Sequence, residues 1–152
     1  MSDRFAPERL DPASYVAPGH DLPVIYGDLD TNHHVNNVAL QRYFEQVRYS
    51  THLQAGLHTI LPEVGGDLYV VHLGIDFLAE TKFGSPLHVR TRIARFGRSS
   101  FTEEQAAWQS GRCVALAEIV VAYTSGDEQS APMPDELRAA LERAYAIEPA
   151  AG

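Results

Sequence analysis

Residues 28–51, which read DLDTNHHVNNVALQRYFEQVRYST, give the clearest indication of the fold. The second half of this stretch places five residues on one helix face, at the three- and four-residue spacing of an α-helix: Leu40, Tyr43, Phe44, Val47 and Thr51. Asn36 or Asn37 is a suitable N-cap, and Gly56 is a suitable end. The stretch therefore predicts a long helix that begins directly after a polar loop.

The loop in front of this helix, residues 28–37, holds two carboxylates, two histidines and three asparagines. A helix N-terminus offers backbone N–H groups without partners and the positive end of the helix dipole. Such a place suits the stabilisation of an oxyanion. The simpler interpretation is a capping loop, but a single capping residue would meet that need.

Downstream of the helix, the pattern changes to the alternation of β-strands. Pro62, Gly65 and Gly66 indicate a turn, and five residues then point one way: Tyr69, Val71, Leu73, Ile75 and Phe77. Three further strands follow, at residues 87–93, 100–109 and 113–123, and short connections between them favour antiparallel hairpins. The last strand is almost wholly apolar, which indicates that both of its faces are covered.

The two ends of the chain complete the predicted fold. Residues 1–20 contain three prolines and no sustained period, so we expect an extended N-terminal arm before a single domain at residues 21–152. Residues 22–29 are short and partly β-like. Pro134 opens a final helix with three residues on one side: Leu137, Leu141 and Tyr145. The order of elements predicts an α+β fold in which a curled antiparallel sheet wraps one long central helix.

The composition is that of one globular domain. The chain has 152 residues, of which 45% are hydrophobic and 21% are charged, and a chain of this length needs no disulfide or structural metal. Its single cysteine, Cys113, excludes an intrachain disulfide and a cysteine-based zinc cluster. No apolar run reaches about 18 residues, and the N-terminus lacks the pattern of a secretory signal. We therefore expect a cytoplasmic protein that does not contact a membrane.

The charges are unevenly distributed. The net charge of −8 argues against nucleic-acid binding, because that binding depends on neutralising phosphates. Residues 81–102 nevertheless lack acidic residues and contain five basic ones: Lys82, Arg90, Arg92, Arg95 and Arg98. Such a segment would steer an anionic small ligand, or else its arginines decorate the solvent face of a strand.

Site patterns exclude several chemistries. The two carboxylates and Asn32 match the first ligand positions of a calcium loop, but His33 and Ala39 occupy the positions that need glycine and glutamate. His33 and His34 are adjacent, and adjacent residues rarely both reach one zinc ion. The sequence contains no G-x-S-x-G, G-x-G-x-x-G or phosphate-loop pattern. Serine hydrolases, dinucleotide enzymes and NTPases are therefore unsupported, and we expect neither a metal nor a cofactor.

The loop and the helix together resemble a known family. The pattern D-x-D-x-x-x-H-V-N-N, followed by Tyr43-Phe44-Glu45 and Arg48, is similar to that of the hotdog-fold thioesterases, in the branch of 4-hydroxybenzoyl-CoA thioesterase-like acyl-CoA thioesterases. The form D-L-D-x-N-x-H-V-N-N is especially close to plant-type acyl-ACP thioesterases. Many relatives have glycine in place of His33. The acyl-ACP enzymes carry two hotdog repeats, whereas this chain has one.

The resemblance implies a role for each residue of the loop. The thioester carbonyl would lie at the N-terminus of the central helix, where Asp30 either attacks it or activates a water molecule. Asn32 and His34 would act with this aspartate, and His34 would orient water or protonate the leaving thiolate. The backbone N–H of Asn37 would donate to the oxyanion.

Further residues are candidates for the same reaction. Glu45 is a reserve catalytic residue, because some branches of the family use a helix glutamate; alternatively it pairs with Arg48 three residues later. His72 either lines the pocket or lies on the surface. The phosphates of CoA suit arginine side chains, and the charge pattern and the family position together indicate four residues around a turn: Arg95, Arg98, Ser99 and Ser100.

We therefore expect an acyl-CoA thioesterase with acyl-CoA as its substrate. Because the family joins its sheets edge to edge, with the active site at the interface, we expect a homodimer or a homotetramer. Two alternatives stay open. One is a hotdog enoyl-thioester hydratase, and the other is a hotdog module that binds acyl thioesters without turnover.

Overall fold

One antiparallel sheet of five strands organises the fold. The structure is a computed structural model, which describes residues 4–145 of the chain. The helices are α1 (Pro7–Leu10), α2 (Asn37–Gln54), α3 (Leu57–Val64) and α4 (Asp135–Ala144), with 3-10 turns at Pro12–Ser14 and Tyr26–Asp28. The strands are β1 (His20–Leu22), β2 (Gly66–Phe77), β3 (Leu87–Phe96), β4 (Ser100–Gln109) and β5 (Arg112–Ser125). Their order in the sheet is β1-β3-β4-β5-β2. The predicted α+β fold, with a curled antiparallel sheet around one long helix, is confirmed.

The helix α2 is the element around which the sheet curls, and its ends are those predicted. The Asn36 side chain accepts a hydrogen bond from the Val38 N–H at 2.8 Å, so it caps the helix. Gly56 follows the helix with a φ of 77°, a left-handed conformation that glycine adopts without steric cost. The predicted face is buried in the core: Leu40, Tyr43, Phe44, Val47 and Thr51.

A β-bulge interrupts the alternation predicted for β2. Val71 is the extra residue where the pairing with β5 shifts register. Leu68 before the bulge and Leu73 after it pack against the core, whereas Tyr69 and Val71 are 45% and 62% exposed. The single core-facing row predicted for this strand is therefore wrong, because an extra residue reverses the side-chain alternation beyond it.

Helix α3 lies where the sequence indicates only a turn. Gly56 and Gly65 bound it with φ values of 77° and 68°, and Pro62 lies inside it. Leu57 is buried in the core, and the other apolar side chains of the helix pack against it. The helix escapes prediction because eight residues give too few turns to establish a period.

The N-terminal segment, residues 4–18, packs on the face of the sheet that points away from α2. Tyr15 has no exposed surface, and its ring meets that of Trp108 edge to face at 5.5 Å. The Trp108 indole N–H donates to the Leu10 carbonyl at 3.0 Å. The segment is therefore folded onto the sheet, which differs from the predicted extended arm. The absence of a period in the sequence reflects its attachment by individual aromatic and polar contacts.

The domain boundary is not decided by these contacts. The predicted division between residues 20 and 21 stays a prediction, and residues 1–3 and 146–152 lie outside the described residues. Most of the stretch 22–29, predicted as partly β-like, forms a 3-10 turn and loop. No helix within residues 4–145 is long and apolar enough to cross a membrane.

The two edges of the sheet differ in length. Strand β1 has three residues, whereas β2 has twelve and lies at the opposite edge. Four apolar side chains of β2 are between 45% and 62% exposed: Tyr69, Val70, Val71 and Phe77. A long exposed edge with apolar side chains is suited to pairing with another strand.

Candidate active site

The polar loop at residues 28–36 is fastened to α2 through its first carboxylate. The Asp28 carboxylate accepts hydrogen bonds from the Tyr43 hydroxyl at 2.6 Å and from the Arg42 guanidinium at 2.7 Å. These two bonds lower the pKa of Asp28, since both favour its charged form. The Asp28 carbonyl also accepts from the Asn36 N–H at 2.8 Å. Asp28 therefore braces the loop against the helix.

The second carboxylate of the loop, that of Asp30, is held by one oxygen. Its Oδ1 accepts from the backbone N–H of Asn32 at 2.9 Å and from that of His34 at 3.2 Å. The Asp30 N–H donates to the His34 carbonyl at 2.8 Å, which closes the loop behind it. Within residues 4–145, no donor binds Oδ2. The backbone therefore orients the carboxylate and leaves one oxygen for a ligand.

His33 supplies the bend that this arrangement needs. Its φ is 60°, in the left-handed region that favours glycine. Its own N–H donates to the Asp30 carbonyl at 3.0 Å, and its side chain is exposed. His33 therefore holds a backbone conformation that glycine adopts without steric cost.

His34 connects the loop to the segment between β2 and β3. Its Nε2 lies 3.1 Å from Oε2 of Glu80. Next to it, the Val35 N–H donates to the Thr81 carbonyl at 2.8 Å. The sequence does not indicate Glu80 as a site residue, because 46 residues separate it from His34. Only the folded chain brings the two together.

The side chain of Gln109 fixes the segment that carries Glu80. Its Oε1 accepts from the Lys82 N–H at 2.9 Å. Its Nε2 donates to the carbonyls of Lys82 and Ser85 at 2.7 and 2.8 Å. Because Gln109 is buried at the end of β4, this segment is tied to the middle of the sheet.

A cavity of about 300 Å³ lies between the start of α2 and the end of β2. Asp30, His34 and Asn37 line one side of it, and the segment from Phe77 to Thr81 lines the other. Asn37 is the first residue of α2, so its N–H has no partner within the helix. The cavity thus joins a carboxylate, an imidazole and a free backbone donor.

Asn32 occupies a different position from the other three predicted site residues. Its N–H donates to Asp30, but the residue is exposed and does not line the cavity. Glu45 is also exposed, and it lies eight residues beyond Asn37, or about 12 Å along the helix. The predicted pair of Glu45 with Arg48 is wrong. The Arg48 side chain is buried and instead contacts Glu103 and Gln105.

The four residues predicted to bind CoA lie at the other end of the sheet. Phe77 at the cavity pairs with Ala115, which pairs with Ala107 on β4. Seven residues, or about 23 Å, separate Ala107 from Ser100 along that strand. Arg95 and Arg98 are exposed beside Ser100. These four residues, called the arginine turn below, therefore do not lie at the cavity of their own chain.

Two further positions bear on the predicted chemistry. His72 is exposed and borders a surface groove on the outer face of β2, away from the cavity. Among residues 4–145, no three histidine, cysteine or carboxylate side chains are placed to hold a metal ion together. Asp30, His34 and Glu80 line the first cavity beside the N-terminus of α2.

Comparisons with known proteins place these features in a wider group. The sequence profile described as "Thioesterase-like superfamily" matches residues 24–141. No curated protein matches the sequence of this chain.

Among solved structures, the hypothetical protein TT1821 from Thermus thermophilus is 25% identical, with a TM-score of 0.73 over 82% of this chain and 97% of the other. A thioesterase from Thermus thermophilus, complexed with coenzyme A and Zn, is 23% identical, with a TM-score of 0.75 over 86% and 96%. Slr0204, a 1,4-dihydroxy-2-naphthoyl-CoA thioesterase from Synechocystis, is 21% identical, with a TM-score of 0.72 over 81% and 93%. These three chains share the fold described above.

Proposed function

The chain belongs to the thioesterase-like superfamily, and we propose that it hydrolyses acyl-CoA thioesters at the cavity in front of α2. One observation carries the proposal. Asp30, with one carboxylate oxygen that no donor among residues 4–145 binds, His34 and Asn37, the first residue of α2, line a single cavity. Two solved relatives named above are a CoA complex and a CoA thioesterase, which supports CoA as the thiol part of the substrate.

The reaction follows from the placement of these groups. The thioester carbonyl oxygen points at the Asn37 N–H, which stabilises the negative charge that develops there. Oδ2 of Asp30 either attacks the carbonyl carbon or removes a proton from the water that attacks it. The C–S bond then breaks, and CoA leaves as a thiolate that takes a proton from His34. Where Asp30 is the nucleophile, the acyl group remains on its carboxylate as a mixed anhydride, and water then cleaves this anhydride to release the acid and restore Asp30. Glu80 holds the Nε2 side of the imidazole.

We propose that a second copy of the chain completes this site. Antiparallel pairing of two β2 strands about a two-fold axis sets the Phe77 end of one strand beside the Gly66 end of its partner. The Gly66 end is the end of the sheet at which Arg95 and Arg98 lie, since Tyr69 pairs with Ala122 and Ala122 with Ser100. The arginine turn of one chain, including Ser99 and Ser100, then faces the cavity of the other and binds the CoA phosphates. A homodimer meets this need, and a homotetramer contains the same pairing.

The test is thiol release from a panel of acyl- and aroyl-CoA esters by the wild type and by Asp30→Ala. We expect turnover of at least one ester and a loss of about 10²-fold or more in kcat for the variant, because it removes the base or nucleophile. Asp135→Ala, which removes an exposed carboxylate at the start of α4, is the matched control and retains activity.

Other outcomes lead elsewhere. Tight binding of CoA esters without turnover would identify a binding module. Undiminished turnover in Asp30→Ala would overturn the role of Asp30 and move the search to His34 and the reserve residue Glu45. A single turnover in ¹⁸O-labelled water separates the two roles of Asp30, because only a nucleophilic carboxylate acquires the label itself.

The predicted cytoplasmic location is tested by fractionation of cells.

A further inference from the structure

A second cavity, of about 290 Å³, lies at the other end of α2 from Asp30. Its walls come from the last turns of α2, from α3 and from the start of β2. Four leucines form the apolar part of the lining, and four residues contribute polar groups: Leu53, Leu57, Leu61 and Leu68, and then Tyr49, His52, His58 and Asp67. The volume is roughly twice that of a 150 Å³ cavity that holds benzene. One aromatic ring with its substituents, or a short acyl chain, therefore fits.

A buried carboxylate stands behind His52. Glu103 on β4 has no exposed surface. Its Oε1 accepts hydrogen bonds from the Tyr145 hydroxyl and from Nε2 of His52, the latter at 2.8 Å. The Arg48 guanidinium lies 3.9 Å from Oε2, and no hydrogen bond to a described residue satisfies that oxygen. Burying a carboxylate so deeply costs stability unless its charge is matched, and Arg48 supplies the opposite charge.

The carboxylate decides which nitrogen of His52 carries the proton. An ionised carboxylate only accepts hydrogen bonds, so the contact with Oε1 assigns the donor role to Nε2, which in the neutral tautomer leaves Nδ1 without a proton. The other nitrogen, Nδ1, then presents a lone pair. It bonds to no residue between 4 and 145, and the His52 side chain keeps 16% of its surface exposed beside the cavity. The cavity therefore contains a hydrogen-bond acceptor whose orientation Glu103 fixes.

We propose that this cavity binds the distal part of the acyl group and that Nδ1 of His52 accepts a hydrogen bond from a hydroxyl on it. The substrate class is then an apolar acyl group, aromatic or short-chain, that carries a hydroxyl away from the thioester. This inference rests on the proposed function. The strand pairing described above sets the second cavity of one chain, which Leu68 of β2 lines, near the first cavity of its partner, which Phe77 lines.

The size of the effect follows from the geometry. A site that presents a hydrogen-bond partner discriminates against an analogue that leaves the partner unpaired. A single neutral hydrogen bond, partly open to solvent, corresponds to roughly tenfold. We therefore expect kcat/KM for a hydroxylated ester to exceed that for its unsubstituted counterpart by about tenfold at the correct ring or chain position.

The experiment uses pairs of CoA esters that differ only by a hydroxyl: the three hydroxybenzoyl isomers against benzoyl, and terminally hydroxylated against plain hexanoyl. In the wild type, one hydroxylated member of the panel is preferred. In His52→Phe, which keeps the ring and removes the acceptor, the ratio falls towards one. His58→Phe, on the rim of the same cavity and without contact to Glu103, is the matched control and keeps the ratio.

The variant His52→Phe removes one hydrogen-bond donor from Glu103 and could therefore destabilise the fold. A second variant tests the cavity without this change. Leu61→Trp fills the cavity and leaves the Glu103 cluster untouched. It lowers kcat/KM for ring-bearing esters relative to acetyl-CoA. If it leaves that ratio unchanged, the acyl group does not enter this cavity and the inference is overturned.

Failure of the inference is distinguishable from failure of the proposed function. Turnover without any preference for a hydroxyl, or a preference that survives in His52→Phe, overturns the role of His52 and leaves thioester hydrolysis standing. If no ester turns over, calorimetry with the matching CoA thioethers, which cannot be hydrolysed, measures the same preference as a ratio of dissociation constants. A ratio near one there overturns the inference, and a ratio near ten that His52→Phe abolishes supports it.

Discussion

His33 adopts a backbone conformation that its side chain disfavours, directly between two residues of the proposed site. A non-glycine residue in the left-handed region costs about 1–3 kcal/mol, and glycine removes this cost while losing about 0.5–1 kcal/mol through the entropy of the unfolded chain. The difference between these two terms is roughly 0–2.5 kcal/mol, so we expect His33→Gly to raise the free energy of unfolding by about 1 kcal/mol. Urea denaturation measures it.

Asn32→Gly is the control for this change. Asn32 precedes the bend and does not have a positive φ, so glycine there brings only the entropic loss and lowers stability. Equal effects of the two glycines would contradict the assignment of strain to His33.

At the residue scale, the sequence predicted which loop residues line the first cavity, but it did not predict the distant residues that contact the histidines. Asp30, His34 and Asn37 are close in the chain, and their motif implied one site. Glu80 and Glu103 were not predictable in the same way. Each meets its histidine across a long separation along the chain, and the polar residues of β4 give no sign that they are buried.

At the scale of elements, the polar loop and α2 are joined by the Asp28 carboxylate. Its pKa is lowered in the folded protein because Tyr43 and Arg42 donate hydrogen bonds to it. A group with a lowered folded pKa contributes stability above its unfolded pKa, about 3.9, and that contribution is lost as the pH falls through the folded value. We expect Asp28→Asn to lower the urea midpoint most at pH 7, with the gap to the wild type narrowing towards pH 4 and below.

The matched control is Asp67→Asn, which changes an exposed carboxylate at the start of β2. Its midpoint follows that of the wild type across the same pH range. A gap for Asp28→Asn that stays constant with pH would mean that the charge of Asp28 does not stabilise the loop.

The elements also show where sequence patterns suffice. Helix α2 was predicted with its cap because eighteen residues repeat one face and Asn36 precedes them. The bulge at Val71 was not predicted, because an extra residue leaves the composition of a strand unchanged and alters only its register. Helix α3 is hidden by its glycines and by Pro62, which read as a turn.

At the scale of the whole molecule, the exposed edge of β2 carries the proposed dimer interface. We expect Val71→Lys to weaken dimerisation by about tenfold or more, equivalent to ~1.4 kcal/mol, because it places a charge on the edge proposed to pair. In the proposed dimer, activity falls in parallel, because each cavity then lacks Arg95 and Arg98 of a partner. Sedimentation velocity at several concentrations measures the change.

Val16→Lys provides the comparison, because Val16 is 67% exposed on the N-terminal segment, away from β2. It leaves the sedimentation profile as it is. A Val71→Lys protein that stays dimeric, with full activity, would exclude this edge as the interface.

Because Trp108 contacts the N-terminal segment, the intrinsic fluorescence of the chain reports on the attachment of that segment. Trp108 is the only tryptophan in the sequence, and it is buried against Tyr15 with its indole N–H bound to the Leu10 carbonyl. Detachment of residues 4–18 alone would hydrate this indole and shift its emission to longer wavelength before the sheet unfolds. Intrinsic fluorescence therefore reports when the back of the sheet is uncovered, without a label and separately from the chemistry on the other face.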